Sequence, residues 1–203
     1  SLLAHESFHA YQGIVAPGRL TAADTAISLS DSRYPWDDVA FQNAWQMELD
    51  LLATAVQAKT DAQVARLAQQ FLDQRTQRRQ ATGLSSGLIK YEAQREWLEG
   101  LARYVELETW RQAARIDSYE PIAPLLDEPK FDQYATFDKR WSQEVAQIGR
   151  MADDVGDGRF YYSGMAQAVI LDRLLPDWKA QALNDGVFLE DLLATAVGAT
   201  AVK

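Results

Sequence analysis

Apolar residues recur every three or four positions along most of the chain, and alternating apolar and polar runs are few. This spacing predicts α-helices with one buried face. The clearest stripe runs from about Trp36 to Ala58, and a second begins near Asp61, which suits the helix cap. We expect these two helices to form an antiparallel hairpin at about 36–81, within a single mainly α-helical domain that spans residues 1–203.

Further helices are predicted on both sides of the hairpin, with ends set by glycine and proline. The first ends at about Gln12, before Gly13 and an expected loop at Pro17–Gly18. The stretch 19–36 is less regular, and Ile27–Ser30 fits either a strand or a loop. Later helices are predicted at about 87–115, 130–152, 161–175, 177–184 and 188–197.

Composition and charge then exclude several classes of protein. The chain is 47% apolar and 24% charged, which is ordinary for a globular domain, and no apolar run reaches the length of a membrane span. The net charge of −9 argues against a nucleic-acid surface. The one basic cluster, Arg75–Arg79, is predicted to be a solvated helix end. Because cysteine is absent, thiol nucleophiles and cysteine-ligated metals are excluded.

The first helix carries both histidines of the chain, in the order His5-Glu6-Ser7-Phe8-His9. His-Glu-x-x-His is a signature of zinc hydrolases, because residues four apart on a helix share one face and can offer two imidazoles to one Zn²⁺. Glu6 lies about 100° round the helix from His5, so it can reach the attacking water as a general base. Since no other histidine or cysteine exists, a third protein ligand must be a carboxylate.

The best carboxylate stretch is Trp97-Leu98-Glu99-Gly100-Leu101-Ala102-Arg103-Tyr104-Val105-Glu106. It resembles the helix Trp-Leu-Asn-Glu-Gly-Phe-Ala-x-Tyr-Val-Glu that carries the third zinc ligand in the glutamate-zincin aminopeptidases, although the asparagine is missing here. The resemblance implies that Glu99 holds Zn²⁺ together with His5 and His9. Glu96, one turn earlier, is the alternative ligand.

Two other residues of this stretch have expected roles of their own. Gly100 allows another backbone to come close to the ligand. Glu106 lies seven residues after Glu99 on the same helix face and could orient a zinc-bound histidine. The competing prediction for the whole stretch is a charged face in contact with solvent, made of Glu92, Glu96, Glu99, Arg103 and Glu106.

A second resemblance lies in Phe160-Tyr161-Tyr162-Ser163-Gly164. The same aminopeptidases have Tyr-x-Lys-Gly at the start of a later helix, where the tyrosine stabilises the oxyanion. Aligning the glycines implies this role for Tyr161, with Tyr162 as the alternative and Ser163 in place of the lysine. The three motifs occur in the family's order. The spacer before Glu99 is far longer than in the family, and the resemblance therefore implies a distant branch of the zincins, with the hairpin as an insertion.

The resemblance implies a zincin-like helical domain that acts as a zinc metallopeptidase on peptide or protein substrates. One alternative is a catalytically inactive zincin-like binding or scaffold domain, and another is a purely structural helical protein. A sheet subdomain is expected to precede Ser1, because the motif helix has so few residues before His5. Any signal sequence would also lie upstream, and the compartment, the oligomeric state and the choice between endo- and exopeptidase action stay open.

Overall fold

The computed structural model describes residues 2–116, 122–131 and 137–201 of the chain. As the hydrophobic pattern predicts, the protein is mainly helical, and no strand occurs in these ranges. None of the described helices is long and apolar enough to cross a membrane.

The helices follow one another with short connections, and most of their ends lie within a few residues of the predicted ones. Their bounds are α1 Leu2–Val15, α2 Pro17–Ser30, α3 Val39–Gln57, α4 Asp61–Ala81, α5 Ser86–Arg95, α6 Leu101–Ala113, α7 Ala123–Leu126, α8 Phe137–Ile148, α9 Gly158–Leu174, α10 Trp178–Gln181 and α11 Leu189–Ala201. A 3₁₀ turn spans Asp31–Arg33, and a π-helical turn, Glu96–Gly100, joins α5 to α6.

The largest departure from the sequence prediction lies between α1 and α3. Gly13 does not end the first helix, and the loop expected at Pro17–Gly18 is the first turn of α2. Proline is well suited to the first helical position, where its missing N–H would have no partner in any case. The undecided stretch Ile27–Ser30 is the last turn of the same helix.

The predicted hairpin is present as α3 and α4, and its caps differ in detail. Asp38 caps α3 by accepting a hydrogen bond from the N–H of Phe41 at 2.9 Å, so Trp36 lies outside the helix. Thr60, rather than Asp61, caps α4, and it forms a reciprocal capping box with Gln63. Both helices bury apolar residues in the same core as α9 and α11.

The helix predicted at 87–115 is the central element of the fold. It runs from Ser86 to Ala113 through α5, the π turn and α6, and it packs on α1, α2 and α9. Ser85 caps it by accepting a hydrogen bond from the N–H of Leu88. Of the helix predicted at 130–152, Phe137–Ile148 is helical, whereas Tyr134 falls outside the described residues.

An aromatic cluster holds the start of α9 in place. The ring of Phe160 lies 5.6 Å from that of Tyr34, 5.8 Å from that of Trp45 and 5.5 Å from that of Tyr91, measured between centroids. All four side chains are almost completely buried. Since Phe160 immediately precedes Tyr161, this packing sets the position of a predicted site residue.

The basic cluster Arg75–Arg79 is not a solvated helix end, and the sequence prediction is wrong here. Arg75 and Arg78 are each 1% exposed. They form ion pairs with buried glutamates of α3, α5 and the π turn, and Arg79 pairs with Glu92 as well. The pairs are Arg75–Glu48 at 3.0 Å, Arg75–Glu96 at 2.5 Å, Arg78–Glu48 at 2.5 Å and Arg78–Glu92 at 2.6 Å. Local pattern could not reveal this, because the partners come from helices distant in sequence.

Candidate metal centre

Helix α1 presents His5 and His9 on the face that packs against α6. His5 is 6% exposed and His9 is half-buried. Their Nε2 atoms lie 3.1 Å apart, and the rings meet edge to face with centroids 4.7 Å apart. The spacing of four residues therefore has the predicted consequence, which is that both imidazoles converge on one point.

The structure brings Glu99 to this point from the π turn between α5 and α6. Its Oε2 atom lies 3.3 Å from Nε2 of His5 and 3.4 Å from Nε2 of His9. Single π turns are rare in helices and are often found at functional sites. Among the described residues, these three side chains form a group whose donor atoms could hold one metal ion.

The donor triangle, defined as Nε2 of His5, Nε2 of His9 and Oε2 of Glu99, fits a tetrahedral zinc ion. Zn²⁺ binds nitrogen and oxygen ligands at roughly 2.0–2.1 Å, so two ligands of a tetrahedral ion lie roughly 3.3–3.4 Å apart. The edges of the triangle measure 3.1, 3.3 and 3.4 Å. Two imidazoles and a carboxylate are also donors that zinc favours.

Gln12 sets the tautomer of His9, and the sequence analysis missed this role. Its amide nitrogen donates to the carbonyl oxygen of Trp97 at 3.0 Å, so its amide oxygen must face the other way. That oxygen accepts a hydrogen bond from Nδ1 of His9 at 2.9 Å. Because Nδ1 carries the proton, neutral His9 directs the free lone pair of Nε2 into the donor triangle. The available signal was a polar residue three positions after His9, on the same face of the helix.

We expect Gln12→Leu to weaken zinc binding by roughly 10–100-fold, the usual effect of removing a hydrogen bond that orients a metal ligand. Leucine keeps the volume but cannot accept the proton of Nδ1 of His9. Competition with a chromophoric chelator measures the dissociation constant, and thermal unfolding of the metal-free variant checks its fold. Gln77→Leu, at an exposed position of α4, is the matched control and should leave zinc affinity unchanged. Equal zinc affinity in the two variants would contradict the role of Gln12.

The surroundings of Glu99 favour its ionised form. Burial raises the pKa of this carboxyl group, but without a bound metal the hydrogen bonds from the imidazolium form of His9 and from Tyr161, together with the charge of Arg95, outweigh burial and hold the pKa to about 2. Arg95 lies one turn before Glu99 and approaches its Oε1 atom at 3.5 Å. Arg95 is itself 4% exposed and forms an ion pair with Asp157. Glu99 is therefore ready to bind a cation at neutral pH.

Gly100 and Gly164 mark the place where the ligand helix and α9 touch. A Cβ atom on Gly100 would come within 2.5 Å of Cα of Gly164, and one on Gly164 within 2.6 Å of the carbonyl oxygen of Glu96. The predicted close approach of another backbone to Gly100 is thus confirmed. Because Tyr161 precedes Gly164 by one turn, the same crossing brings its side chain to Glu99.

Tyr161, and not the alternative Tyr162, lies at the candidate centre. Its ring stacks on that of His5 at 5.4 Å with a 6° angle between planes, and its hydroxyl is close enough to Glu99 for each group to shift the pKa of the other. The hydroxyl of Tyr162 instead accepts a hydrogen bond from Arg103 at 3.2 Å. Burial, with the negative charge of Glu99, raises the pKa of Tyr161, so its phenol stays protonated at neutral pH.

The remaining predicted residues have other surroundings. The carboxylate of Glu96, the alternative ligand, binds Arg75 and accepts a hydrogen bond from Ser163 at 2.5 Å. Glu106 forms ion pairs with Arg103 at 2.5 Å and Arg140 at 3.4 Å.

The helix that carries Glu99 is not the solvent-facing charged stripe of the competing prediction, because Glu92, Glu96, Glu99 and Glu106 are buried. Glu6 is exposed beside His5, on the open side of α1.

Comparisons with known proteins add no relative to this description. No protein-family model matches the chain, no curated protein matches it, and no solved structure matches its fold.

Proposed function

We propose that this protein is a zinc-dependent metallopeptidase, with Zn²⁺ held by His5, His9 and Glu99. The observation that carries the proposal is the donor triangle, whose edges suit a tetrahedral ion, on a helix with the His-Glu-x-x-His motif. Three protein ligands leave the fourth position of a tetrahedral ion open, as in catalytic rather than structural zinc sites. The choice of peptides as substrates rests on the resemblance of the motifs to the glutamate-zincin aminopeptidases.

When bound, Zn²⁺ would polarise the scissile carbonyl group and lower the pKa of the attacking water to roughly 7. Glu6 would take the proton of that water and pass it to the leaving amine. The negative charge of Glu6 helps to raise the pKa of His9, which supports this role because the carboxylate is then within electrostatic reach of a proposed ligand. Its place directly after His5 would keep it near a bound ion without making it a ligand.

Tyr161 would stabilise the oxyanion that develops on the scissile carbonyl. A protonated phenol can donate a hydrogen bond to this oxygen. Loss of one such donor typically raises the activation free energy by roughly 2.7–4 kcal/mol in comparable sites. The stacking of Tyr161 on His5 and the effect of Glu99 on its pKa support the assignment, because Tyr161 is then a neighbour of two of the three proposed ligands. Gln12 and Arg95 would orient the ligands without touching substrate.

Removal and return of the metal tests the proposal. We expect the purified protein to bind one Zn²⁺ per chain and to cleave members of a peptide library, with the products identified by mass spectrometry. Dialysis against a chelator should abolish cleavage, and one equivalent of Zn²⁺ should restore it, because His5, His9 and Glu99 would otherwise lack their ion. Chelator already saturated with Zn²⁺ is the control for direct effects of the chelator.

Two results would contradict the peptidase proposal in different ways. Stoichiometric zinc with no cleavage of any peptide would support a zincin-like binding or scaffold domain without activity. A protein that retains no stoichiometric zinc after dialysis against buffer would support a purely structural helical protein.

A further inference from the structure

A polar cavity of about 760 Å³ opens between α6, α8 and α9. Its walls carry four cationic side chains and one carboxylate, and most of its other lining groups are polar. The charged lining residues are Arg103, Lys139, Arg140, Arg150 and Glu144. None of the residues assigned to the proposed zinc centre lines this cavity.

Two lining residues of the cavity are close sequence neighbours of residues at the candidate metal centre. Arg103 follows Glu99 by four residues on the same helix face, which corresponds to roughly 6 Å along the axis. Tyr162, which also lines the cavity, directly follows Tyr161 on α9. A substrate whose scissile bond lies at the donor triangle could therefore place a neighbouring group in the cavity.

The charges of the cavity are only partly balanced. Arg103 and Arg140 share the carboxylates of Glu106 and Glu144, with the shortest contact to Glu144 at 2.7 Å. Lys139 and Arg150 are exposed at the rim, and none of the ion pairs found among the described residues involves them. Two positive charges thus remain in excess, on a chain whose net charge is −9. The positive charge of the cavity favours binding of an anionic ligand group, whereas the net negative charge of the rest of the chain repels it.

We propose that this cavity binds a carboxylate of the peptide substrate, so that the protein prefers substrates with a negative charge close to the scissile bond. The inference rests on the proposed peptidase function for its choice of ligand. Arg103 and Arg140 form the floor of the carboxylate site, held in place by Glu106 and Glu144. Lys139 and Arg150 supply the excess charge at the rim. The carboxylate belongs either to an acidic side chain or to the free C-terminus of a short peptide.

Paired fluorescent peptides test the preference and distinguish the two sources of the carboxylate. One pair differs only by Glu or Gln near the scissile bond, and the other only by a free or an amidated C-terminus. We expect roughly two- to fivefold tighter binding, and a similarly higher kcat/KM, for the charged member of at least one pair. Fluorescence anisotropy with the metal-free protein measures binding, so the readout does not depend on activity. The difference within a pair should shrink as salt is raised.

A double variant, Lys139→Glu with Arg150→Glu, should reduce the ratio between charged and neutral peptides to about one or below. The matched control is Lys59→Glu with Arg66→Glu, at exposed positions of the α3–α4 hairpin without ion pairs among the described residues. It changes the net charge equally and should keep both the ratio and the activity. Equal effects of the two double variants would overturn the inference, because overall charge would then explain the preference.

The outcomes separate this inference from the proposed function. Cleavage of peptides without any preference within either pair overturns the inference and leaves the peptidase proposal standing. Tighter binding of charged peptides that is lost in the Lys139→Glu, Arg150→Glu variant, in a protein that cleaves none of them, supports the carboxylate site and contradicts the peptidase proposal.

Discussion

Glu6→Gln is expected to lower kcat for peptide hydrolysis by roughly 10²–10⁴-fold and to leave Zn²⁺ bound, because general base catalysis typically contributes a factor of this size. Glutamine has nearly the same shape as glutamate but cannot accept the proton of the attacking water. Glu6 is exposed and contributes no atom to the donor triangle, so the three ligands stay in place. Initial rates with a cleaved peptide, together with zinc content per chain, measure both parts of the prediction.

A matched control is Glu128→Gln, which makes the same chemical change at an exposed glutamate just after α7. This control should keep the activity of the unmodified protein. Full activity in Glu6→Gln would show that another group takes the proton. Joint loss of zinc and activity would show that Glu6 supports the metal centre instead of acting as the base.

Arg78→Met should destabilise the folded protein by about 3–5 kcal/mol, the usual cost of removing one partner from a buried ion pair. The guanidinium of Arg78 binds Glu48 at 2.5 Å and Glu92 at 2.6 Å, and all three residues are at most 1% exposed. It also lies over the ring of Trp45, 4.3 Å from the centroid. Methionine fills much of the space, but it leaves two buried carboxylates with too little positive charge. Urea unfolding of the metal-free protein gives the free energy without a contribution from bound zinc.

Two further variants show whether the missing charge causes this loss. Arg66→Met changes an exposed arginine of the same helix and should alter the free energy of unfolding by less than about 0.5 kcal/mol. Adding Glu92→Gln to Arg78→Met should recover part of the stability, because one unpaired carboxylate is removed with its partner. If Arg78→Met lowered the free energy of unfolding no more than Arg66→Met does, the result would contradict a stabilising role for the buried ion pairs.

The same network makes stability depend on pH in a defined direction. Burial raises the pKa of Glu92, but Arg78 and Arg79 outweigh it and lower the pKa from 4.5 to about 2. A group whose pKa is lower in the folded state stabilises the protein fully above its unfolded pKa. The contribution of Glu92 should therefore be complete above about pH 4.5 and be lost as the pH falls toward 2.

The sequence predicts the helices well because their signals are local. The apolar stripe with Phe41, Trp45 and Leu49 predicts α3, and the serine before α5 predicts its start. The same local rules fail at Gly13, which does not end α1, and at Pro17, which begins a helix instead of a loop. Both residues are compatible with helix at the positions they occupy, and packing between α1 and α2 decides in favour of helix.

The candidate metal centre also has features that follow from local sequence and features that depend on the tertiary structure. That His5 and His9 share one face follows from helix geometry alone, and the composition leaves only a carboxylate as third protein ligand. The resemblance already favours Glu99 over the alternative Glu96, and the tertiary structure gives the physical reason, since the two lie on one helical stretch and differ in what faces them. The carboxylate of Glu96 forms an ion pair with Arg75 and accepts a hydrogen bond from Ser163, whereas the two histidines face Glu99.

The sequence by itself therefore determined the mainly helical class, the shared helix face of His5 and His9, and the acidic character of any third protein ligand in the proposed zinc site. Only the tertiary structure decided that Tyr161 and not Tyr162 meets Glu99, that Gln12 sets the tautomer of His9, and that Arg75 and Arg78 are buried. The physical reason is that helix periodicity and capping depend on neighbours within a few residues. The partners of a buried charge come from separate helices, and the crossing at Gly100 and Gly164 brings Tyr161 and Glu99 together.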